Sequence, residues 1–493
     1  MTQPIDVCLL LEGTYPYVRG GVSSWINQLI LSNPDLNFGV VFLGSTPEDY
    51  EKKHYQLPEH VVYYTEHFLF DFDVTREEKL TKLNVTSDNI CKVHQAWSEL
   101  GTKQYTSSII TDLLAEPASV LQSEAAWEYL CKRYQESCPA ESFIDYYWTV
   151  RNMHIPLWQL AKLLDEVPRA RVYHSISTGY AGMLGALLHK RHATPFFISE
   201  HGIYTKERRI DLFSSLVQHQ SMTVGEQKPI QDHLQKLWIR FFESIAKLAY
   251  QHAHPIVSLF SDYQIQQIRD GANKADTRVI ANGIDIARFK PCRKKEGSTP
   301  PPVIALIGRI VPIKDIKTFI RAMGLVIDRM PHVEGWIVGP EDEDPEYANE
   351  CKQLITLQQL DGQVQCLGQQ DVCNIYPKIA ITVISSISEG LPLVVLESFA
   401  SGVPVISTAV GACPELINGK DENDKALGQA GRIINIADAE ELAKQIISLL
   451  TDNDAYRKAS TSAIERVETH YQAQDINDQY RTIYAELIPS WQA

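Results

Sequence analysis

An α/β protein of two doubly wound, Rossmann-like domains is what this sequence predicts, on three observations. Short apolar runs alternate with helical patterns along the chain. The runs are continuous rather than alternating, as strands covered on both faces of a parallel sheet must be. The alternation also falls into two blocks, separated by the aperiodic stretch Ala287–Pro302 (ARFKPCRKKEGSTPPP), with its clustered charge and consecutive prolines. Strand-helix alternation in two blocks is the pattern of two parallel sheets, each wrapped by helices.

The elements follow in order. Asp6–Glu12 (DVCLLLE) and Phe38–Gly44 (FGVVFLG) are apolar strands flanking a helix at Val22–Leu31. Arg171–Ser177, Phe196–His201, Pro255–Phe260 and Thr277–Asn282 continue the first sheet, with helices at Tyr180–His192 and Ile230–His252. The second sheet takes Val303–Gly308, Gly335–Gly339, Val364–Leu367, Ile379–Ser386, Pro404–Thr408 and Arg432–Ile436. Its helices are Asp315–Met330, Tyr347–Leu360, Leu391–Ser401 and Ala439–Leu450. The boundary is placed near residue 290, giving domains of residues 1–289 and 290–471. Residues 66–160 break the alternation; helical in composition and rich in aromatics (Tyr146, Tyr147, Trp148, Trp158), they read as a helical insertion in the first domain.

Bulk properties narrow the function. The 493 residues are 44% hydrophobic and 22% charged, an ordinary globular composition. A net charge of −15 argues against a general nucleic-acid binder. The 9 cysteines form no CxxC pair, so reduced thiols in a cytoplasmic protein are expected. The first residues, MTQPIDVCLLLEG, show neither a basic n-region nor a cleavage site, and no apolar run is long enough to span a membrane.

Chemistry concentrates where strands give way to helices. Gly20-Gly21 lies between the first strand and its helix, where glycine lets backbone N–H groups approach a ligand. Glu200-His201-Gly202 ends a strand and places an imidazole at the carboxyl edge of the first sheet. Arg309 and Lys314 share one strand-to-helix loop, a pairing suited to a diphosphate. Glu389-Gly390-Leu391-Pro392 follows a strand, with Pro392 expected at the first helical position and free N–H groups beside it. Glu397 lies about a turn inside that helix, eight residues after Glu389, so the two carboxylates do not stack. Glu397 is suited to ribose hydroxyls, and Glu389 to a sugar or to charge developing at an anomeric carbon. The triplets Asp71-Phe72-Asp73 and Asp342-Glu343-Asp344 are of a kind that can hold a divalent cation, but they sit among other acidic and loop residues and are discounted as metal sites.

These stretches, with ANGID (Ala281–Asp285), SEGLPLVVLESFASGVPVIST and VGACPELI, resemble in their order the retaining glycosyltransferases of family 4, which have the GT-B fold. The resemblance implies roles: Gly20 and Gly21 near donor phosphates and acceptor, His201 on the donor sugar, Arg309 and Lys314 on the leaving diphosphate. It places Glu389 close to the donor sugar, Gly390 and Leu391 as backbone amides, and Glu397 on the ribose. It implies a UDP-sugar donor, no cofactor and no metal, and a last helix, residues 472–493, crossing back to the first domain. EGTYPYVRGGVSSW and SEHGIYTKER further resemble the subgroup serving Pel-type exopolysaccharide synthesis. That implies a polysaccharide acceptor and inner-membrane synthase proteins as partners. A non-catalytic UDP-sugar-binding scaffold and a GT-B sugar-nucleotide epimerase remain open alternatives.

Overall fold

The computed structural model describes residues 3–71, 124–139, 142–210, 212, 232–295 and 301–488. The chain forms two compact units, one of Met1–Ser258, Tyr263–Val279 and Arg481–Ala493, the other of Leu259–Asp262 and Ile280–Tyr480.

The first unit carries seven parallel strands in the order β3-β2-β1-β4-β5-β6-β7. They are β1 (Ile5–Glu12), β2 (Phe38–Gly44), β3 (Val61–Phe68), β4 (Ala170–Ser175), β5 (Phe196–Glu200), β6 (Ile256–Ser258) and β7 (Thr277–Val279). The central strand β1 pairs with both β2 and β4, and Val7–Leu11 are fully buried, which explains their unbroken apolar run. Strand β3 went unpredicted and takes residues 66–68 out of the expected insertion. It is an edge strand in which every residue is half-buried, so its sequence, VVYYTEHF, mixes polar and apolar residues.

Residues 72–123 of that insertion lie outside the described residues. Its described remainder carries two helices, Glu124–Ser137 and Phe143–Glu166, the latter capped by Ser142 Oγ at 3.4 Å from the Asp145 N–H. The second helix is no peripheral addition. Leu157, Trp158 and Leu160 are fully buried in the same apolar cluster as Tyr180, Leu184 and Leu188 of the helix Tyr180–His192.

The second unit has six parallel strands in the order β10-β9-β8-β11-β12-β13. These are β8 (Val303–Ile307), β9 (Glu334–Val338), β10 (Val364–Gly368), β11 (Ile381–Ile384), β12 (Val405–Thr408) and β13 (Gly431–Ile434). The helices Ile316–Arg329 and Ala439–Thr451 supply Phe319, Ile320, Met323, Leu442 and Ile446 to its core. The aperiodic stretch Ala287–Pro302 that separates the two blocks is, in its described part, docked on this unit. Ile286–Phe289 and Lys290–Cys292 are helical, Phe289 and Cys292 are buried three residues apart, and Arg293 Nε donates to the Ala400 carbonyl at 2.8 Å. Dense charge around two apolar residues hid this amphipathic turn.

One ion pair pins the end of this unit. Arg466 and Asp424 are fully buried, with Nε 2.6 Å from Oδ1. The guanidinium also donates to the carbonyls of Ile417, Asp424 and Gly428 at 2.7–2.9 Å. Removing one partner of such a pair strands the other charge, so Arg466→Met is expected to cost about 3–5 kcal/mol in denaturant unfolding. A loss within about 1 kcal/mol of zero would show that the pair does not hold the segment.

Candidate functional site

In a doubly wound sheet, ligands collect at the carboxyl ends of the strands where the strand order reverses. That point lies between β1 and β4 in the first unit and between β8 and β11 in the second. The loops leaving these strands hold most of the residues singled out above.

In the second unit the loops after β8 and β11 are tied together. Ser385 Oγ donates to the carbonyls of Lys314 and Asp315, both at 2.9 Å, and the Ile387 N–H donates to the Ile313 carbonyl at 2.9 Å. Lys314 and Glu389 thereby meet: Nζ lies 2.6 Å from Oε1, which also accepts from Ser386 Oγ at 2.5 Å. Arg309 turns elsewhere and pairs with Glu343 at 2.5 Å, with both side chains about half exposed (52% and 47%). The two cations are thus each held by a carboxylate. Glu343 belongs to the second acidic triplet, and its neighbour Asp344 caps the helix Pro345–Leu357 through the Tyr347 N–H at 3.0 Å. Those two acids therefore have partners within the protein. The first triplet falls largely outside the described residues.

The helix after Glu389 corrects one expectation. It runs Leu393–Ala400, so Pro392 is its cap residue rather than its first residue, and Gly390 and Leu391 precede it. The N–H groups of Gly390, Leu391, Leu393 and Val394 have no hydrogen-bond partner among the described residues. The helix has neither a side-chain cap nor an acid in its first turn, whereas Ile316–Arg329, Pro345–Leu357, Ala439–Thr451 and Asn453–His470 are each capped by an aspartate. An uncapped helix start beside a lysine is a ready receptor for an anion. Gly411 braces this loop. At φ +52°, a Cβ there would lie 2.3 Å from the carbonyl oxygens of Glu389 and Gly390, and the next residue, Ala412, donates its N–H to the Gly390 carbonyl at 2.9 Å.

Glu397 lies in the second turn of that helix, apart from the lysine pair. Its Oε2 accepts the Tyr376 hydroxyl at 3.1 Å. Burial pushes its carboxyl pKa up, while Tyr376 and the charge of Arg288 pull it down.

In the first unit, Gly20 caps the helix Gly21–Leu31 with extended backbone, and a Cβ on it would meet nothing within 4 Å among the described residues. Neither strain nor crowding within the protein demands glycine there. The helix start again lacks a side-chain cap. One turn on, the Trp25 ring packs on His201, centroids 4.2 Å apart, and joins the glycine loop to the end of β5. His201 is 8% exposed; its Nε2 is buried and has no hydrogen-bond partner among the described residues. Burial depresses its pKa from 6.5 to about 3, so the imidazole is neutral at neutral pH. Beside it, Glu200 accepts from Thr178 Oγ1 (2.9 Å), the Tyr204 N–H (3.2 Å), the Tyr250 hydroxyl (2.6 Å) and Gln267 Nε2 (3.0 Å). Glu12, at the end of β1, accepts from the Ala181 N–H at 3.2 Å and the Tyr204 hydroxyl at 3.0 Å, and so caps the helix Tyr180–His192. Sequence reasoning missed Trp25, Glu12, Tyr376 and Gly411; only Trp25, four residues after Gly21, carried a positional signal.

Two parallel-sheet Rossmann-like units of this topology make up the GT-B fold. HepE of Anabaena, solved in complex with UDP, superposes with a TM-score of 0.60 at 15% identity, over 98% of this chain and 100% of that one. Sucrose-phosphate synthase of Thermosynechococcus elongatus gives 0.58 at 16%, over 99% and 100%. The chain belongs to the family described as "Domain of unknown function (DUF3492)", which matches residues 5–275, and residues 301–452 match "Glycosyl transferases group 1". Among curated relatives, the lipopolysaccharide core biosynthesis glycosyltransferase LpsE of Rhizobium meliloti is 29% identical over 45% of this chain and 61% of its own length. The N-acetyl-alpha-D-glucosaminyl L-malate synthase of Bacillus anthracis is 31% identical over 30% and 36%. The chain thus spans about half the length of the curated relatives it matches. Among the described residues, no helix is long and apolar enough to cross a membrane.

Proposed function

We propose that the protein is a retaining glycosyltransferase that moves a hexose or N-acetylhexosamine from a UDP-sugar to a growing exopolysaccharide of the Pel type, in a role like that of PelF. The observation that carries the reading is the pairing of Lys314 with Glu389 beside the uncapped start of the helix Leu393–Ala400. Lys314, Arg309 and the free N–H groups of Gly390, Leu391, Leu393 and Val394 hold the diphosphate, and Glu397 takes the ribose. The reading gives Glu389 a role toward the transferred sugar, His201 a role toward the donor sugar, and Gly20 and Gly21 roles toward the donor phosphates and the acceptor.

The bond from the anomeric carbon to the diphosphate oxygen breaks as an acceptor hydroxyl oxygen bonds to that carbon from the same face. The acceptor proton passes to the departing phosphate oxygen, and no enzymic nucleophile enters. Fixed cationic charge on the leaving group does the work a divalent metal does elsewhere, so transfer should persist in a chelator. The reading places the protein at the cytoplasmic face, with inner-membrane synthase proteins as partners.

Thermal unfolding with UDP, UDP-glucose, UDP-N-acetylglucosamine, UDP-N-acetylgalactosamine, GDP and ADP tests the donor. At a ligand concentration a hundred times Kd, the stabilisation is about 2.7 kcal/mol. UDP and one of the UDP-sugars should raise Tm most. A preference for GDP or ADP would overturn the uridine assignment, and UDP binding without transfer to any acceptor would favour a non-catalytic scaffold.

A further inference from the structure

We propose that Tyr376 is a positioning residue for Glu397: its hydroxyl ties one carboxylate oxygen, leaves the other for the nucleoside, and so sets the preference for ribose over deoxyribose. The proposal rests on the reading of Glu397 as the ribose ligand.

Tyr376 heads the short 3-10 helix Tyr376–Lys378, between β10 and β11. Its ring is fully buried and meets Phe289 edge-on, centroids 5.9 Å apart. Its carbonyl accepts from Lys294 Nζ at 3.5 Å. The backbone and ring are thus held independently of the hydroxyl. That hydroxyl also meets the Ser398 side chain; it has one proton to give, with Glu397 Oε2 at 3.1 Å and the Val394 carbonyl at 3.4 Å as acceptors. The nearer acceptor is also the one able to carry charge, and bonds to an ionised acceptor are the stronger.

Glu397 Oε1, by contrast, makes no hydrogen bond among the described residues, and the residue is half-buried. A carboxylate with one oxygen fixed presents the other in a set direction, which is what recognition of a vicinal diol requires. Tyrosine is not needed for filling: a phenylalanine would occupy the same space. The hydroxyl on this ring is therefore explained by the carboxylate it touches.

The test compares UDP with 2′,3′-dideoxyuridine diphosphate by calorimetric titration of the full chain, for the native protein, Tyr376→Phe and Glu397→Gln. Tyr376→Phe keeps the ring. It should narrow the native preference for UDP about five- to tenfold, the worth of one hydrogen bond, and raise the donor KM similarly, with kcat within about twofold. Glu397→Gln should narrow the preference at least as much. If Glu397→Gln leaves the preference intact, the ribose reading fails. If Glu397→Gln removes it and Tyr376→Phe does not, the positioning role fails. Equal weakening of both nucleotides by Tyr376→Phe would mean the hydroxyl serves only the fold, and would also overturn the proposal.

Discussion

Arg309→Ala and Lys314→Ala are each expected to lower the proposed sugar transfer by about 10²–10³, the usual cost of removing one preorganised charge from a leaving group. The two variants separate in their effect on folding. Arg309 and Glu343 are about half exposed, at 52% and 47%, and an exposed pair contributes about 0–1 kcal/mol. On the proposed reading Arg309 exchanges Glu343 for a diphosphate at little cost, and Arg309→Ala should lose activity with Tm nearly unchanged. Lys314 is different. Its side chain is 20% exposed and that of Glu389 only 10%, so Lys314→Ala takes a counter-charge from a mostly buried carboxylate. A stability loss of about 1–3 kcal/mol should accompany the loss of transfer. Near-native transfer by the Arg309→Ala/Lys314→Ala double variant, with no divalent metal added, would sink the diphosphate assignment.

The architecture was legible because strands buried on both faces leave an apolar run that needs no context. Val7–Leu11 is such a run; β3 is not, because an edge strand with every residue half-buried tolerates Thr65, Glu66 and His67. The docked turn Ile286–Cys292 was hidden for a related reason, since only Phe289 and Cys292 face inward and their neighbours are charged. In the site, local chemistry was readable and partnership was not. Lys314 and Glu389 are 75 residues apart, and nothing in either segment says that Ser385 ties their loops together. Arg309 and Lys314 share a loop, which suggested one joint role, yet in the structure their carboxylate partners differ. Gly411 braces Glu389 and Gly390 through space, an arrangement that only the assembled sheet creates.

His201→Asn is expected to lower transfer about 10²-fold while leaving the stabilisation by UDP unchanged, because the uridine ligands proposed above lie on other loops. A buried polar atom without a partner costs about 1–3 kcal/mol, and among the described residues Nε2 of His201 is such an atom. That cost is understandable if the partner is a substrate hydroxyl that arrives during turnover. The neutral ring suits the task, since it can donate or accept a hydrogen bond without carrying charge into a buried site. With its pKa held near 3 by burial, the imidazole should show no NMR titration between about pH 5 and 8. The sign of its effect on folding follows. The unfolded chain takes up this proton near pH 6.5 and the folded chain does not until about pH 3, so stability is full above 6.5 and is lost as pH falls through that window. The loss approaches about 1.4 kcal/mol per pH unit, and His201→Asn should flatten it. A titration near pH 6.5, or transfer at the native rate in His201→Asn, would remove this histidine from the reaction and leave its orphaned nitrogen without a purpose.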